Sequence, residues 1–415
     1  MIGIRIRWQQ ADGLLLRKEM TGSVKMSRNY TGIRIIIAIA VLLAALAVCT
    51  AAMAGATVIN INKATLNAVT RYWVNGTTTA VAYTDSWNAY FDAGTSTLTL
   101  RDAKVDQYQN LVGSVYGLIQ ADGDLTVVLA GSSSLTDTAG LLGIYDSLVG
   151  LYANGNLTVR GSGSLDFAYD GNASAYGVYS QNSLNWLSGT YRCSRSSGYI
   201  CGMHSRADLL IAGGNITIEG IGQRARGISA SSGHLRMMGG TVRCRMVSQG
   251  YDVFALHAGT VELAGGNGVF SATGSSESYG IRYIQGTAEI TGGCFTFVGE
   301  ESAMLCTDEA LPPEEPASGM EIEVSENADG TGAWQWYTSA DGLLGAIERY
   351  SPYTLTLSPF RYISFCALVV STPTPAPALP QTGDGLRWPL WAGMVLWAGI
   401  GIAGLLAVRK RRKAG

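Results

Sequence analysis

At 415 residues, with a formal net charge of −2 and only 14% charged residues, the chain is long enough for one large domain or two ordinary ones. Its 53 glycines against 10 prolines, without a collagen triplet, exclude disorder and a triple helix and suit many short strands joined by tight turns. Between residues 57 and 382 stand 16 basic against 28 acidic residues, so the middle offers no basic stripe for nucleic acid, while both ends are basic.

Residues 33–54 form an apolar run behind Lys25, Arg28 and Arg34, followed by small residues at Ala52-Met53-Ala54 or Ala54-Gly55-Ala56. Basic, apolar, then small is the order of a secretory signal peptide, so residues 1–56 are expected to be a signal peptide with an extended basic region. An uncleaved membrane anchor is the rival reading. Met20 and Met26 stand as alternative starts.

From Asn60 onward the chain reads as short strands, and an internal repeat emerges. Pairs at Ser188-Gly189, Gly213-Gly214, Gly239-Gly240, Gly265-Gly266 and Gly292-Gly293 are spaced 25, 26, 26 and 27 residues apart. A second mark, glycine before an apolar residue, falls at Gly117-Leu118, Gly150-Leu151, Gly177-Val178, Gly202-Met203, Gly227-Ile228 and Gly280-Ile281, with Ala255-Leu256 filling the gap. Between the two lie alternating strands such as Leu125-Thr126-Val127 and Leu157-Thr158-Val159, the period-2 signature of a half-buried strand. Repeats of about 26 residues without a helical pattern predict an all-β fold, a parallel β-helix of about 7–9 rungs over residues 57–310. Irregular rungs are expected near 185 and 255. The Asn60–Asp106 stretch is expected to add a rung or to cap the open end.

The acidic, proline-bearing stretch 308–318 marks a boundary, and residues 311–370 read as a further β segment or cap. Its aromatic residues Trp334, Trp336, Tyr337, Tyr350 and Tyr353 suit cap packing or stacking on sugars. Alternating prolines across 371–378 predict an extended spacer. Then comes Leu379-Pro380-Gln381-Thr382-Gly383, an apolar segment at 388–408 long enough to cross the ~30 Å hydrocarbon core, and Arg409, Lys410, Arg411, Arg412 and Lys413. Residues 379–415 resemble the sorting signal of sortase-anchored surface proteins, with all four fixed LPXTG positions present. The resemblance implies that sortase recognises Leu379, Pro380, Thr382 and Gly383 and cuts between the last two. Thr382 is then joined covalently to peptidoglycan, while the basic tail retains the chain in the membrane. Secretion and cell-wall attachment follow as the expected location.

Strings such as Gly150-Leu151-Tyr152-Ala153-Asn154-Gly155-Asn156-Leu157-Thr158-Val159 resemble the carbohydrate-binding β-helix domains of clostridial-type bacteria. That resemblance implies a right-handed β-helix that binds acidic plant polysaccharide, with calcium as the cofactor to be weighed. Arginines 160, 192, 195, 206, 224, 226, 243 and 245 are candidates for pairing with uronate carboxylates. The chemistry of a polysaccharide hydrolase or lyase needs clustered carboxylates, yet Asp146, Asp166, Asp170, Asp208, Glu219, Asp252 and Glu262 are spread singly, so no catalytic residue is assigned. Asp122 and Asp124 share a turn and are weak calcium candidates. His204, His234 and His257 are spaced roughly one rung apart, as if to line one face, without partners at zinc-ligand spacing. Cys193 and Cys244, each four residues past a glycine mark, are expected in the core; the pairing of the remaining cysteines stays open. The preferred expectation is a non-catalytic carbohydrate-binding wall protein. A structural stalk or adhesin and a pectate-lyase-like enzyme are the alternatives.

Overall fold

A computed structural model describes residues 55–307, 320–332, 335–336, 348–350 and 360–367, apart from positions 139, 197, 275, 276, 286 and 287. Among these residues the chain is all-β and coils through about eight turns of a parallel β-solenoid with three faces. The signal-peptide run, the proline spacer, the LPQTG motif and the basic tail lie outside the described residues.

The first face stacks Val115–Ala121, Ser147–Ala153, Ser174–Ser180 and Tyr199–Ser205 in parallel. It continues through the starts of Arg224–Met237 and Val253–Leu263 to Ser278–Tyr283 and Ser302–Thr307. The second face runs from Thr97–Leu100 through Leu125–Leu129, Leu157–Gly161, Leu184–Trp186 and Leu209–Ile211 to Ala288–Ile290. The third runs from Lys104–Val105 through Ser132–Thr136, Ser164–Ala168 and Thr190–Arg195 to Asn215–Gly222. Thr241–Ser248, Asn267–Thr273 and Cys294–Gly299 complete it.

The alternation seen in the sequence decides which side of each strand is buried. In Leu125–Leu129 the leucines and Val127 point inward while Thr126 and Val128 are half-buried. Register then turns single residues into columns: Val127, Val159, Trp186, Ile211 and Met237 occupy one position of the second face and are all essentially buried. Each such side chain contributes about 1.5–3 kcal/mol by leaving water. On the third face Phe167, Cys193, Ile218, Cys244 and Phe270 form another column, which places both cysteines in the core. The double-glycine mark is the corner between the second and third faces. Gly214 and Gly240 turn there with φ of 87° and 84°, a conformation that a side chain would strain.

Two features of the expected repeat shift. Position 185 is regular, since Asn185 pairs between Thr158 and Leu210. Near 255 the irregularity is present: the pairing of Arg224–Met237 with Val253–Leu263 slips between Ala230 and His234, opposite Ala258 and Thr260. Gly117 pairs with Val149, so the Gly117-Leu118 mark is one residue out of register with Gly150.

Both ends are covered by antiparallel strands, which occupy the hydrogen-bonding edge that a solenoid otherwise exposes. Ile59–Ile61 and Gln109–Val112 both lie antiparallel to Val115–Ala121, and Ala89–Asp92 covers Thr97–Leu100. The stretch from Asn60 to Asp106 thus supplies both a partial turn and a cap. At the other end Tyr362–Ala367 runs antiparallel to Cys294–Gly299, backed by Met320–Ser325, and a Cys294–Cys366 disulfide joins the cap to the last rung. Cys193, Cys201, Cys244 and Cys306 are buried thiols outside that disulfide. Trp334, Tyr337 and Tyr353 lie outside the described residues; Trp336 falls in Gln335–Trp336 and Tyr350 in Glu348–Tyr350.

Candidate functional site

Strands of the first face share a local grammar. In Ser147–Ala153, Leu148 and Leu151 point into the core cluster, whereas Val149 and Tyr152 lie outside that cluster on the other side of the strand, only 2% and 6% exposed. Parallel pairing repeats that outer position from turn to turn. Asn60, Gln120, Tyr152 and Tyr179 are successive neighbours, and His204, Ser229, His257 and Arg282 continue the same row. At about 4.8 Å per strand the row spans roughly 34 Å. Beside it runs a second row containing Tyr176, Cys201, Arg226, Phe254 and Tyr279.

The rings of these rows pack on one another. Tyr152 stacks on Tyr179 with centroids 5.7 Å apart, and Tyr179 lies 4.7 Å from the His204 ring. Tyr176 meets Tyr179 edge-on at 5.5 Å, and Phe254 stacks on Tyr279 at 5.9 Å. A hydrogen-bond chain fixes the first ring: Arg206 donates to Gln181 Oε1 (3.0 Å), Gln181 Nε2 to the Tyr152 hydroxyl (3.0 Å), and that hydroxyl to Asn154 Oδ1 (3.1 Å). Burial raises the Tyr176 and Tyr179 hydroxyl pKa values, so both remain neutral donors.

Burial likewise pushes the His204 imidazole down to about 4, helped by Arg226 and Arg206. Burial, then Arg226, Arg282 and His204, pushes His257 down to about 3. Both rings are neutral at pH 7 and serve as hydrogen-bonding groups rather than cations. Unfolding returns each to its ordinary value of 6.5, so below that pH the unfolded chain binds more protons. Stability is therefore complete above pH 6.5 and falls as pH drops toward 4 and 3, by up to ~1.4 kcal/mol per pH unit for each ring. Urea midpoints at pH 7.5 and 4.5 are expected to differ, and His257→Gln is expected to flatten that difference. An unchanged difference in the variant would assign the acid lability to other groups.

The three histidines do not share a face. His234 starts the second face, where its backbone N–H donates to Asp208 (2.9 Å) and its ring lies 3.8 Å from Glu262. The position that matches His204 and His257 in the intervening strand is Ser229, and His234 falls five residues beyond it.

The candidate arginines are also divided. Arg192, Arg243 and Arg245 lie on the third face, and Arg160 on the second. Arg224 and Arg226 sit at the first face and share Asp252, at 3.3 and 3.7 Å. Arg195 is 4% exposed, donates to the carbonyls of Gly171 and Ala173, and lies over the Tyr169 ring, so it closes a loop instead of meeting a ligand. The acids are dispersed and mostly engaged: Asp166 with Arg192, Asp170 with Ser196, Glu262 with Arg236, and Asp146 with the N–H of Gly143. Asp122 accepts from the backbone N–H groups of Thr57 and Val58, and Asp124 from Asn156. These two carboxylates tie the N-terminal segment and neighbouring turns together. Among the described residues no group of three or more His, Cys, Asp or Glu is placed to hold a metal ion. Leu379, Pro380, Thr382, Gly383 and Arg409–Lys413 lie outside the described residues.

Sequence reasoning missed the row itself. Its signal was present, two residues past each glycine or alanine mark: Tyr152, Tyr179, His204, Ser229, His257 and Arg282. The fold and its row define a β-solenoid with one outer face of aromatic, amide and basic side chains. No family model, curated protein or solved structure matches the chain.

Proposed function

We propose that the chain is a non-catalytic carbohydrate-binding β-helix, exported and attached to the cell wall through LPQTG, whose first outer face holds an extended polysaccharide. The observation that carries this reading is the row from Asn60 to Arg282, in which Tyr179, His204 and Arg282 are half-buried while Gln120, Tyr152, Ser229 and His257 are no more than 7% exposed. Its groups recur at about 4.8 Å, close to one sugar unit of an extended glycan. Aromatic rings offer apolar edges and faces to sugar C–H groups, while amides and neutral imidazoles bond hydroxyls. An acidic polymer is the proposed ligand class at the Arg226 and Arg282 end of the face. Calcium has no preferred place in this reading, because Asp122 and Asp124 already accept bonds from the chain. The coil is proposed to be right-handed, the hand that parallel crossovers favour.

A second reading, an adhesin for proteins, draws on the loop before Ser147–Ala153, where Leu141, Ile144 and Tyr145 are 81%, 67% and 89% exposed. One experiment separates the two. Cells producing the full chain are offered immobilised polysaccharides, neutral and acidic, and capture is compared with that of cells carrying Tyr179→Ala. Loss of about fivefold in capture is expected, since one aromatic contact contributes about 1 kcal/mol. Cells carrying Thr382→Ala are expected to shed capture when membrane-held and wall-held protein are separated. Equal capture by wild type and Tyr179→Ala would remove the row from the binding surface.

A further inference from the structure

At the N-terminal end of the row, the cap strands and the turns after Val115–Ala121 and Ser147–Ala153 border a pocket of about 350 Å³. That lies at the lower end of the ~300–1,000 Å³ typical of small-molecule sites. Its polar lining is Asn60, Asn110, Gln120, Asp122, Tyr152 and Asn154. One wall, Gln109–Val112, loses register with Val115–Ala121 between Asn110 and Val112, a bulge of the kind that re-aims side chains beside binding sites.

The hydrogen bonds already made within the lining decide what remains to be offered. Gln120 donates from Nε2 to the carbonyls of Gln109 (2.8 Å) and Gly117 (3.2 Å), which leaves its amide oxygen as the group to present. Asn110 Nδ2 donates to the Gly113 carbonyl at 2.6 Å, again leaving the oxygen. Asn60 accepts from the Thr65 hydroxyl at 2.9 Å, leaving its NH2 as donor. Tyr152 is held through its hydroxyl between Gln181 and Asn154, so its ring is a fixed wall. The lining thus presents acceptors and a donor at separate points, and it contains no Lys, Arg or His. A sugar hydroxyl both donates and accepts and so satisfies either kind of group. A uronate or sulfate would instead meet amide oxygens and the Asp122 carboxylate.

We infer that this pocket holds one uncharged sugar unit through its hydroxyls, at the end of the row opposite Arg282. The inference rests on the carbohydrate reading above and adds to it a polarity: a neutral subsite at the N-terminal end, a basic one toward the C-terminal end. A bound polymer would then have a defined direction.

The test uses the full chain in mild detergent, titrated calorimetrically with neutral hexose oligosaccharides and with oligogalacturonates of matching length. Neutral oligosaccharides are expected to bind, and Asn110→Ala and Asn60→Ala are each expected to weaken them about five- to tenfold with unchanged melting. Tyr179→Ala, one rung beyond the pocket, is expected to weaken long oligosaccharides more than disaccharides. Neutral binding that ignores both asparagine variants overturns the pocket and leaves the carbohydrate reading standing. Binding of oligogalacturonates alone does the same. Binding of no sugar of either kind overturns both.

Discussion

A chain carrying Gly202→Val is expected to lose more than ~3 kcal/mol of stability and to accumulate as insoluble protein. Gly202 sits at the centre of Tyr199–Ser205, and a Cβ there would lie 2.5 Å from the Ile218 side chain and 2.8 Å from the Gly227 carbonyl oxygen. The first contact is a core residue of the third face; the second is the backbone of the next turn. Ile218 has little room to retreat, because it is stacked between Cys193 and Cys244 in its own column. Moving the carbonyl would disturb the ladder that joins Tyr199–Ser205 to Arg224–Met237. Gly150 meets the same two kinds of obstacle, the Gly177 carbonyl at 2.6 Å and the Phe167 ring at 2.7 Å. The solenoid carries alanine at this place twice, at Ala255 and Ala303, but at Gly202 a Cβ alone already meets both obstacles, so Gly202→Ala is expected to destabilise as well, and less than valine, whose two further methyl groups add to the same contacts. Urea unfolding of both variants checks the ordering. A valine variant within ~0.5 kcal/mol of wild type would mean that the interior is not packed as described.

How much of this was legible in the sequence depends on whether a feature repeats. The corner glycines recur every 25–27 residues because each turn needs the same positive-φ bend, and so they betray the rung length. Leu125-Thr126-Val127 and its counterparts were readable because one face of each is buried. The outer row was equally periodic but chemically mixed: tyrosine, histidine, serine and arginine share a position without sharing a property. A search for one residue type finds the three histidines and assigns His234 wrongly, since the row passes through Ser229, five residues earlier, and His234 already belongs to the next face. The Cys294–Cys366 pair was beyond reach for a different reason. Cys366 belongs to an antiparallel cap that returns from 72 residues away, outside the repeat, so no rung arithmetic points to it. The arginines show the limit of composition: the eight candidates for one ligand are distributed over all three faces and, for Arg206, a turn, and Arg195 is structural. The pocket at the start of the row needed Asn60 beside Gln120, a pairing across the cap that no local pattern encodes.

Cys366→Ser is expected to open the C-terminal end of the solenoid. The disulfide closes a 72-residue loop, and removing it returns about 4 kcal/mol of chain entropy to the unfolded side. That is a large part of the 5–15 kcal/mol that holds a typical domain together. In a solenoid each rung touches only its neighbours, so the loss is concentrated at the end where the link was made. Tyr362–Ala367 covers Cys294–Gly299 through buried Ile363 and Phe365, which pair with Phe297 and Phe295. Once this strand lifts, those phenylalanines and an unpaired parallel edge face solvent, the condition under which strands pair between molecules. The variant is therefore expected to melt earlier, to be cut first by protease within the cap, and to aggregate in a concentration-dependent way. Reductant applied to the wild type should reproduce all three effects, as should Cys294→Ser. The double variant should be no worse than either single one, because both remove the same bond. A wild type indifferent to reductant, or a double variant that loses twice as much, would show that the stability of the cap comes from its packing alone.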